Sequence, residues 1–307
     1  MMPVDQNTLL SPLNDLVFKA LFGREQKQSK IILMDFLNSV LNLEEKDKIT
    51  EIAYLNPFNL KEFRGDKESI MDLKVKTQKG ERINIEIQVN NVDDFRKRSL
   101  YYWAKMYGET ISEAEAYLTL KKSIVINILN FNIIEETERY HTEYKILEKE
   151  EHFPLIDDLS IHYIELPKFD DEKDVEKMKA IELWLTFIKR AADPESRGKL
   201  ENLVERSEPL KMAKEMLEKI SADEKLRQEY YAKEKARLDA ISRMKYAEIK
   251  GMEKGIEKGI EKGIEKEKIK MVKNALKEGL KIELIEKLTG LNKEEIEKIR
   301  TKETLNE

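Results

Sequence analysis

Apolar positions at helical spacing open the chain. In SPLNDLVFKALFG, Leu16, Phe18 and Phe22 supply apolar contacts, Ser11 is a candidate N-cap, Pro12 suits the first helical position and Gly23 a stop. KIILMDFLNSVLNL continues as a second amphipathic helix, with Ile31, Leu33, Met34, Leu37, Leu41 and Leu43 near helical spacing. The pattern then becomes extended: ITEIAYLNPF, SIMDLKVK and RINIEIQV read as strands, the last two joined by TQKGE with Gly80 as the turn residue. A longer helix over residues 93 to 115 is expected to turn Leu100, Trp103, Ala104, Tyr107 and Ile111 inward. SIVINILNF is continuous, β-branched and bounded by polar clusters, which predicts a buried strand. TEYKILE and LSIHYIEL return to the sheet, and residues 172 to 192 form a helix with Leu183, Trp184, Phe187 and Ile188. The order αα-βββ-α-β-ββ-α predicts an α/β or α+β domain on a mixed sheet.

Side chains alternate faces along a strand, so Ile83, Ile85, Ile87 and Val89 point one way and Asn84, Glu86 and Gln88 the other. On the preceding strand Met71, Leu73 and Val75 form the apolar face, opposite Asp72, Lys74 and Lys76. Pairing Val75 with Ile83 across the turn, one register among several, sets Asp72 directly opposite Glu86. Opposed carboxylates repel by roughly 0.2–1 kcal/mol in a sheet, and more when buried. Two readings fit: a solvated polar face on an antiparallel ribbon, or a pair of acids that holds a divalent cation. Mg²⁺ suits the second, because it prefers carboxylate, carbonyl and water oxygens and is held by one or two carboxylates together with substrate phosphate. So bound, it can activate a water and neutralise charge on a phosphodiester.

Composition narrows the field. The chain has 307 residues, 40% of them hydrophobic, enough to bury a substantial core. It has no cysteine, which excludes disulfides, thiolate zinc sites and a cysteine nucleophile, and suits a reducing compartment. His141, His152 and His162 lack the spacing of a helical metal site and read as ordinary strand or loop residues. No apolar run approaches the ~20 residues of a membrane span, and the N-terminus lacks the features of a signal peptide, so a cytoplasmic protein is expected. Charged residues make up 38% of the chain, yet the formal charge is only −5, so any basic surface for nucleic acid must be local.

From about residue 205 the sequence becomes Lys/Glu-rich. We expect a domain over 1–205, a charged helical connector over 206–250, a helix or linker over the glycine repeat 251–268 and a short helical module over 269–307. In the repeat, Gly251, Gly255, Gly259 and Gly263 recur every four residues. A helix there would lose about 1 kcal/mol per glycine relative to alanine. Glycine beside isoleucine would also allow a second helix to approach closely, so a homodimer or other homo-oligomer through the C-terminal helices is one expectation and a low-complexity linker the other. Beyond it, Asn292 and Glu295 form a capping-box-like helix start.

On NDLVFKALFG, the aspartate of IMDLKV, the INIEIQ strand, the RKRSLYYWAKMY helix, and IHYIEL with the apolar-aromatic helix after it, the chain resembles the PD-(D/E)XK nuclease superfamily, specifically its recombination-promoting nuclease and transposase family, Rpn. The glycine repeat and TGLNKEEI extend the resemblance over nearly the whole chain. It implies a restriction-endonuclease-like mixed β-sheet core flanked by helices, with an α-helical C-terminal extension. It further implies DNA endonuclease activity with Mg²⁺, or Mn²⁺, in recombination, transposition or defence against foreign DNA. The aspartate position is Asp72 and the E-x-K strand is Glu86-Ile87-Gln88, which makes Asp72 and Glu86 the implied metal ligands.

Two departures from the family pattern stand out. Met71 precedes the aspartate in place of proline, and Gln88 holds the lysine position. A glutamine amide can hydrogen-bond a water or phosphate but adds no charge. Superfamily members with glutamine there are active nucleases, and this family commonly carries it. Lys74 and Lys19 are candidates for the missing cation. Asp15 resembles the acid that a leading helix contributes in the superfamily, or is simply a first-turn acid favoured by the helix dipole. Arg98, Tyr101, Tyr102 and Lys105 are candidates for a DNA-facing helix side. The competing expectation is a catalytically reduced DNA-binding or oligomerising protein that keeps the fold.

Overall fold

The structure, a computed structural model, describes residues 8–56, 58, 73–90 and 95–304. It divides into two compact units, Met1–Ala232 and Lys233–Glu307. In the first, α1 (Asp15–Phe22) and α2 (Lys27–Leu41) precede strands β1 (Ile52–Tyr54), β2 (Leu73–Thr77) and β3 (Arg82–Gln88). There follow α3 (Phe95–Gly108), β4 (Ser123–Leu129), β5 (His141–Tyr144), β6 (Leu159–Glu165), α4 (Ala180–Arg190), α5 (Arg197–Val204) and α6 (Glu208–Ala222). Through α4 this is the predicted order of elements.

Among the described residues the strands form one sheet in the order β1-β2-β3-β4-β6-β5. β3, β4 and β6 run parallel at its centre, while β2 and β5 pair antiparallel on either side of them. The β2–β3 hairpin has the anticipated register, Val75 opposite Ile83 and Leu73 opposite Ile85. Its turn needs left-handed backbone at Gly80, where φ is 82°, a conformation a side chain would oppose.

The apolar face of β3 and β4 (Ile83, Ile85, Ile87, Ile124, Ile126, Ile128) joins one cluster with buried side chains of α1, α2, α4 and α6. Four rings anchor it: Phe22 lies 4.5 Å from Phe18, 5.5 Å from Phe36 and 5.7 Å from Trp184, measured between centroids. Each such pair adds about 0.5–1.5 kcal/mol beyond area burial. The Trp184 indole donates to Asp35 Oδ2 at 2.8 Å, so its one polar atom is satisfied. Gly23 lets α1 approach β2, since a Cβ there would stand 2.9 Å from the Lys19 carbonyl oxygen and 3.0 Å from Leu73 Cδ1.

Several local expectations are corrected. The N-cap of α1 is Asn14, whose Oδ1 accepts from Leu16 N at 3.1 Å. Ser11 serves the preceding turn instead, accepting from Asn14 N at 3.1 Å through its carbonyl. Helix α3 is shorter than residues 93 to 115 and buries Phe95, Ser99 and Met106, leaving Leu100 52% exposed. The reason is tertiary: α3 covers a sheet face that carries polar side chains, so its inward side is not its most apolar one. The packed unit also runs past residue 205, because α6 buries Leu210, Ala213, Met216, Leu217 and Ile220 against the core.

In the second unit the glycine repeat is helical, part of α7 (Glu224–Lys277). Its end packs with α8 (Ile282–Thr289) and α9 (Lys293–Thr304) around Val272, Ile285 and Ile296. The expected capping box is present: Glu295 N donates to Asn292 Oδ1 at 3.0 Å and Asn292 N to Glu295 Oε2 at 2.8 Å. Among the described residues no helix is long and apolar enough to cross a membrane.

Candidate active site

Alternation along β3 turns Asn84, Glu86 and Gln88 away from the isoleucine face, as the sequence pattern requires, but not into solvent. Glu86 is 1% exposed, Asn84 1% and Gln88 9%. Parallel pairing sets Val125, Asn127 and Leu129 of β4 beside them, and Tyr163 of β6 beside Asn127. Helix α3 roofs this face: Phe95 and Met106 pack on Val125, Leu129, Ile161 and Tyr163, and Ser99 Oγ lies 3.4 Å from Asn127 Oδ1. The solvated-ribbon reading is therefore corrected. A charged carboxylate in such a place costs several kcal/mol unless it is paired and hydrogen-bonded.

Glu86 has both kinds of partner. Its Oε1 accepts from Gln88 Nε2 at 2.7 Å, the two side chains lying on the same face two residues apart. The same oxygen is ion-paired with Arg98 Nη2 from α3. The Arg98 guanidinium carbon stands 5.2 Å from the Phe95 ring centroid and 5.8 Å from that of Tyr102, so two rings lie against the cation. Its side chain is 32% exposed, placing the cation between the buried acid and solvent. The Tyr163 hydroxyl is pushed to a higher pKa, chiefly by burial and further by Tyr144 and the Glu86 charge.

The other anticipated residues are placed as follows. Asp72 lies outside the described residues; it precedes Leu73, the partner of Ile85. Lys74 is half-buried on β2 opposite Asn84, on the Glu86 face. Asp15 opens α1, and Lys19 is 8% exposed on that helix, whose apolar side chains belong to the opposite, isoleucine face. Tyr101 and Lys105 are exposed on α3 and Tyr102 is half-buried, whereas Arg98 turns inward. Sequence reasoning passed over Asn127 and Ser99. The signal was present in the first: an asparagine in the middle of the apolar run SIVINIL.

The donor chemistry fits a hard divalent cation. Carboxylate and amide oxygens suit Mg²⁺ or Mn²⁺ rather than a softer metal. Both amide atoms of Asn84 are buried without a hydrogen-bond partner on this same face. An orphaned pair of this kind signals a polar space that takes a further ligand. Among the described residues no group of three or more His, Asp or Glu side chains could hold a metal by itself.

The sequence model of the PD-(D/E)XK nuclease family transposases matches residues 12–247. The chain belongs to that family. The match covers the sheet, α3 with Arg98, and the helices packed behind the sheet, so the mixed α/β core and the Glu86 centre lie within the region that the family model spans. No curated protein and no solved structure matches the chain.

On the other face of the sheet, this family member carries a second buried polar group that its sequence did not announce. His141 Nε2 lies 3.0 Å from His162 Nδ1, and His162 Nε2 lies 2.7 Å from Ser160 Oγ. The Ser160 hydroxyl donates to Glu143 Oε1 at 2.9 Å. With that proton committed, His162 must donate through Nε2 and accept at Nδ1 from His141, which fixes both tautomers. Burial holds both imidazoles below their ordinary pKa, His162 at about 4.

Proposed function

We propose that the chain is a metal-dependent DNA endonuclease acting on phosphodiester bonds, with Asp72 and Glu86 as the ligands of Mg²⁺ or Mn²⁺. The observation that carries this reading is Glu86, a nearly inaccessible carboxylate on a central parallel strand, joined on one oxygen by an amide and a guanidinium. Burying a carboxylate costs several kcal/mol that an apolar side chain would not, a cost that a metal-binding role would explain. When bound, the metal supplies Lewis acidity and a nucleophilic water. Glu86 fixes the position of positive charge, because its carboxylate is immobilised by Gln88 and by the strand. Gln88 keeps its amide oriented through that bond, and an amide is a group that can hydrogen-bond a water or a phosphate oxygen without adding charge. Helix α3 excludes bulk water from one side, which strengthens each electrostatic contact beneath it. The substrate is DNA, the setting recombination, transposition or defence against foreign DNA, and the compartment the cytoplasm. The C-terminal helices supply homo-oligomer contacts.

A second reading has its own support: Arg98 already neutralises Glu86, as in a purely structural ion pair, and Gln88 adds no charge. A DNA-binding or oligomerising protein without catalysis would look the same at these residues. Nicking of supercoiled plasmid by purified protein, in Mg²⁺ and in Mn²⁺ beside an EDTA control, separates the two. Metal-dependent nicking that disappears in Asp72→Ala and Glu86→Ala supports the nuclease. Cleavage no greater than that of the variants in both metals would refute it.

A further inference from the structure

A lysine at position 88 would bring positive charge to the reacting phosphate, and Gln88 brings none. We propose that Arg98, delivered from α3, is the cationic residue of the centre and binds a phosphodiester oxygen of DNA; this rests on the nuclease reading of Glu86. Four observations converge on it. Arg98 Nη2 touches the Glu86 carboxylate, so the cation is already at the acid that the reading makes central. Arg98 Nε is buried with no hydrogen-bond partner. Nε and Nη2 share one edge of the guanidinium, the edge turned to Glu86 and the interior, so the phosphate contact falls to Nη1 on the opposite edge. Phe95 and Tyr102 lie against the guanidinium without consuming a donor. Finally, the side chain is 32% exposed where Glu86 is 1%, which puts the charge on the solvent side of the acid, where a DNA backbone arrives.

The contact has a thermodynamic corollary. Arg98 and a divalent cation compete for the same carboxylate, so removing the guanidinium charge while keeping a polar side chain must tighten metal binding, even as it removes the phosphate partner. The prediction is thus opposite in sign for the two measurements, which a residue of merely structural importance would not produce.

The test compares wild type, Arg98→Gln and Arg98→Lys, each checked for an unchanged melting transition. Mn²⁺ alone is titrated by calorimetry, and plasmid nicking is followed in the same metal. Arg98→Gln should bind Mn²⁺ more tightly than wild type and nick at least about 100-fold more slowly, the size of effect seen when one transition-state hydrogen-bond donor is lost. Arg98→Lys should recover part of the rate, since it restores charge without the fork. Nicking by Arg98→Gln at the wild-type rate, or weaker Mn²⁺ binding by it, overturns the proposal and leaves the nuclease reading intact. Absence of nicking by wild type overturns the nuclease reading, and the assignment of Arg98 falls with it.

Discussion

Acid should loosen the sheet from its β5–β6 edge, and the amount follows from one imidazole. His162 is buried between His141 and Ser160, and its pKa is lowered from 6.5 to about 4, first by burial and then by His141, with Glu143 opposing. In the unfolded chain the ring takes a proton near its ordinary pKa, while in the folded sheet it does not until about pH 4. The stability is therefore complete above about pH 6.5 and is lost progressively as the pH falls toward 4. One pKa unit corresponds to about 1.4 kcal/mol, so this group alone removes roughly 3 kcal/mol across the window. His162→Gln keeps a polar side chain but cannot titrate, and it should flatten that part of the profile. Both tryptophans, Trp103 and Trp184, lie in the first unit, so urea unfolding followed by their fluorescence reports the relevant transition. Glu143, whose pKa is lowered on balance through Ser160, His162 and Lys145 despite burial, acts in the same direction at lower pH and remains in the variant. The reasoning fails if wild type and His162→Gln lose stability in parallel between pH 6.5 and 4.

Other changes should act where the packing is known. Ile85→Ala removes a fully buried side chain from the central strand beneath α1, with an expected loss of about 2–5 kcal/mol in the same urea assay. Gly255→Ala and Gly259→Ala introduce Cβ atoms with nothing within 4 Å. Each should stabilise α7 locally by about 1 kcal/mol, seen as slower amide hydrogen exchange over residues 251–268 and no change in the first unit.

The order of elements was legible because strand and helix periods are local properties of the chain, and the β2–β3 register was legible because a short turn leaves few pairings that keep isoleucines together. That Glu86 turns to the face opposite the isoleucines was legible for the same reason. Its burial was not: SIVINILNF reveals an apolar strand, but nothing local says that α3 will lie across its polar neighbours. The identity of the cation at Glu86 depends on that same docking. Arg98 lies on the side of α3 grouped with Tyr101, Tyr102 and Lys105 by spacing alone, yet the structure parts it from exposed Tyr101 and Lys105. The cap of α1 shifted from Ser11 to Asn14 because either residue can cap, and only the turn between them decides. The glycine repeat is helical although each glycine opposes it, a case of neighbouring helix formers outweighing a local penalty.

The most direct test of the centre is the isosteric change Glu86→Gln, which keeps the shape of the side chain and a hydrogen bond to Gln88 while removing the charge. Purified wild type and variant, with matched melting transitions, are assayed side by side for nicking of supercoiled plasmid in Mg²⁺ or Mn²⁺. The nuclease reading predicts metal-dependent nicking by wild type and a rate at background in Glu86→Gln; equal nicking by the two proteins, or none by wild type in either metal, would contradict it.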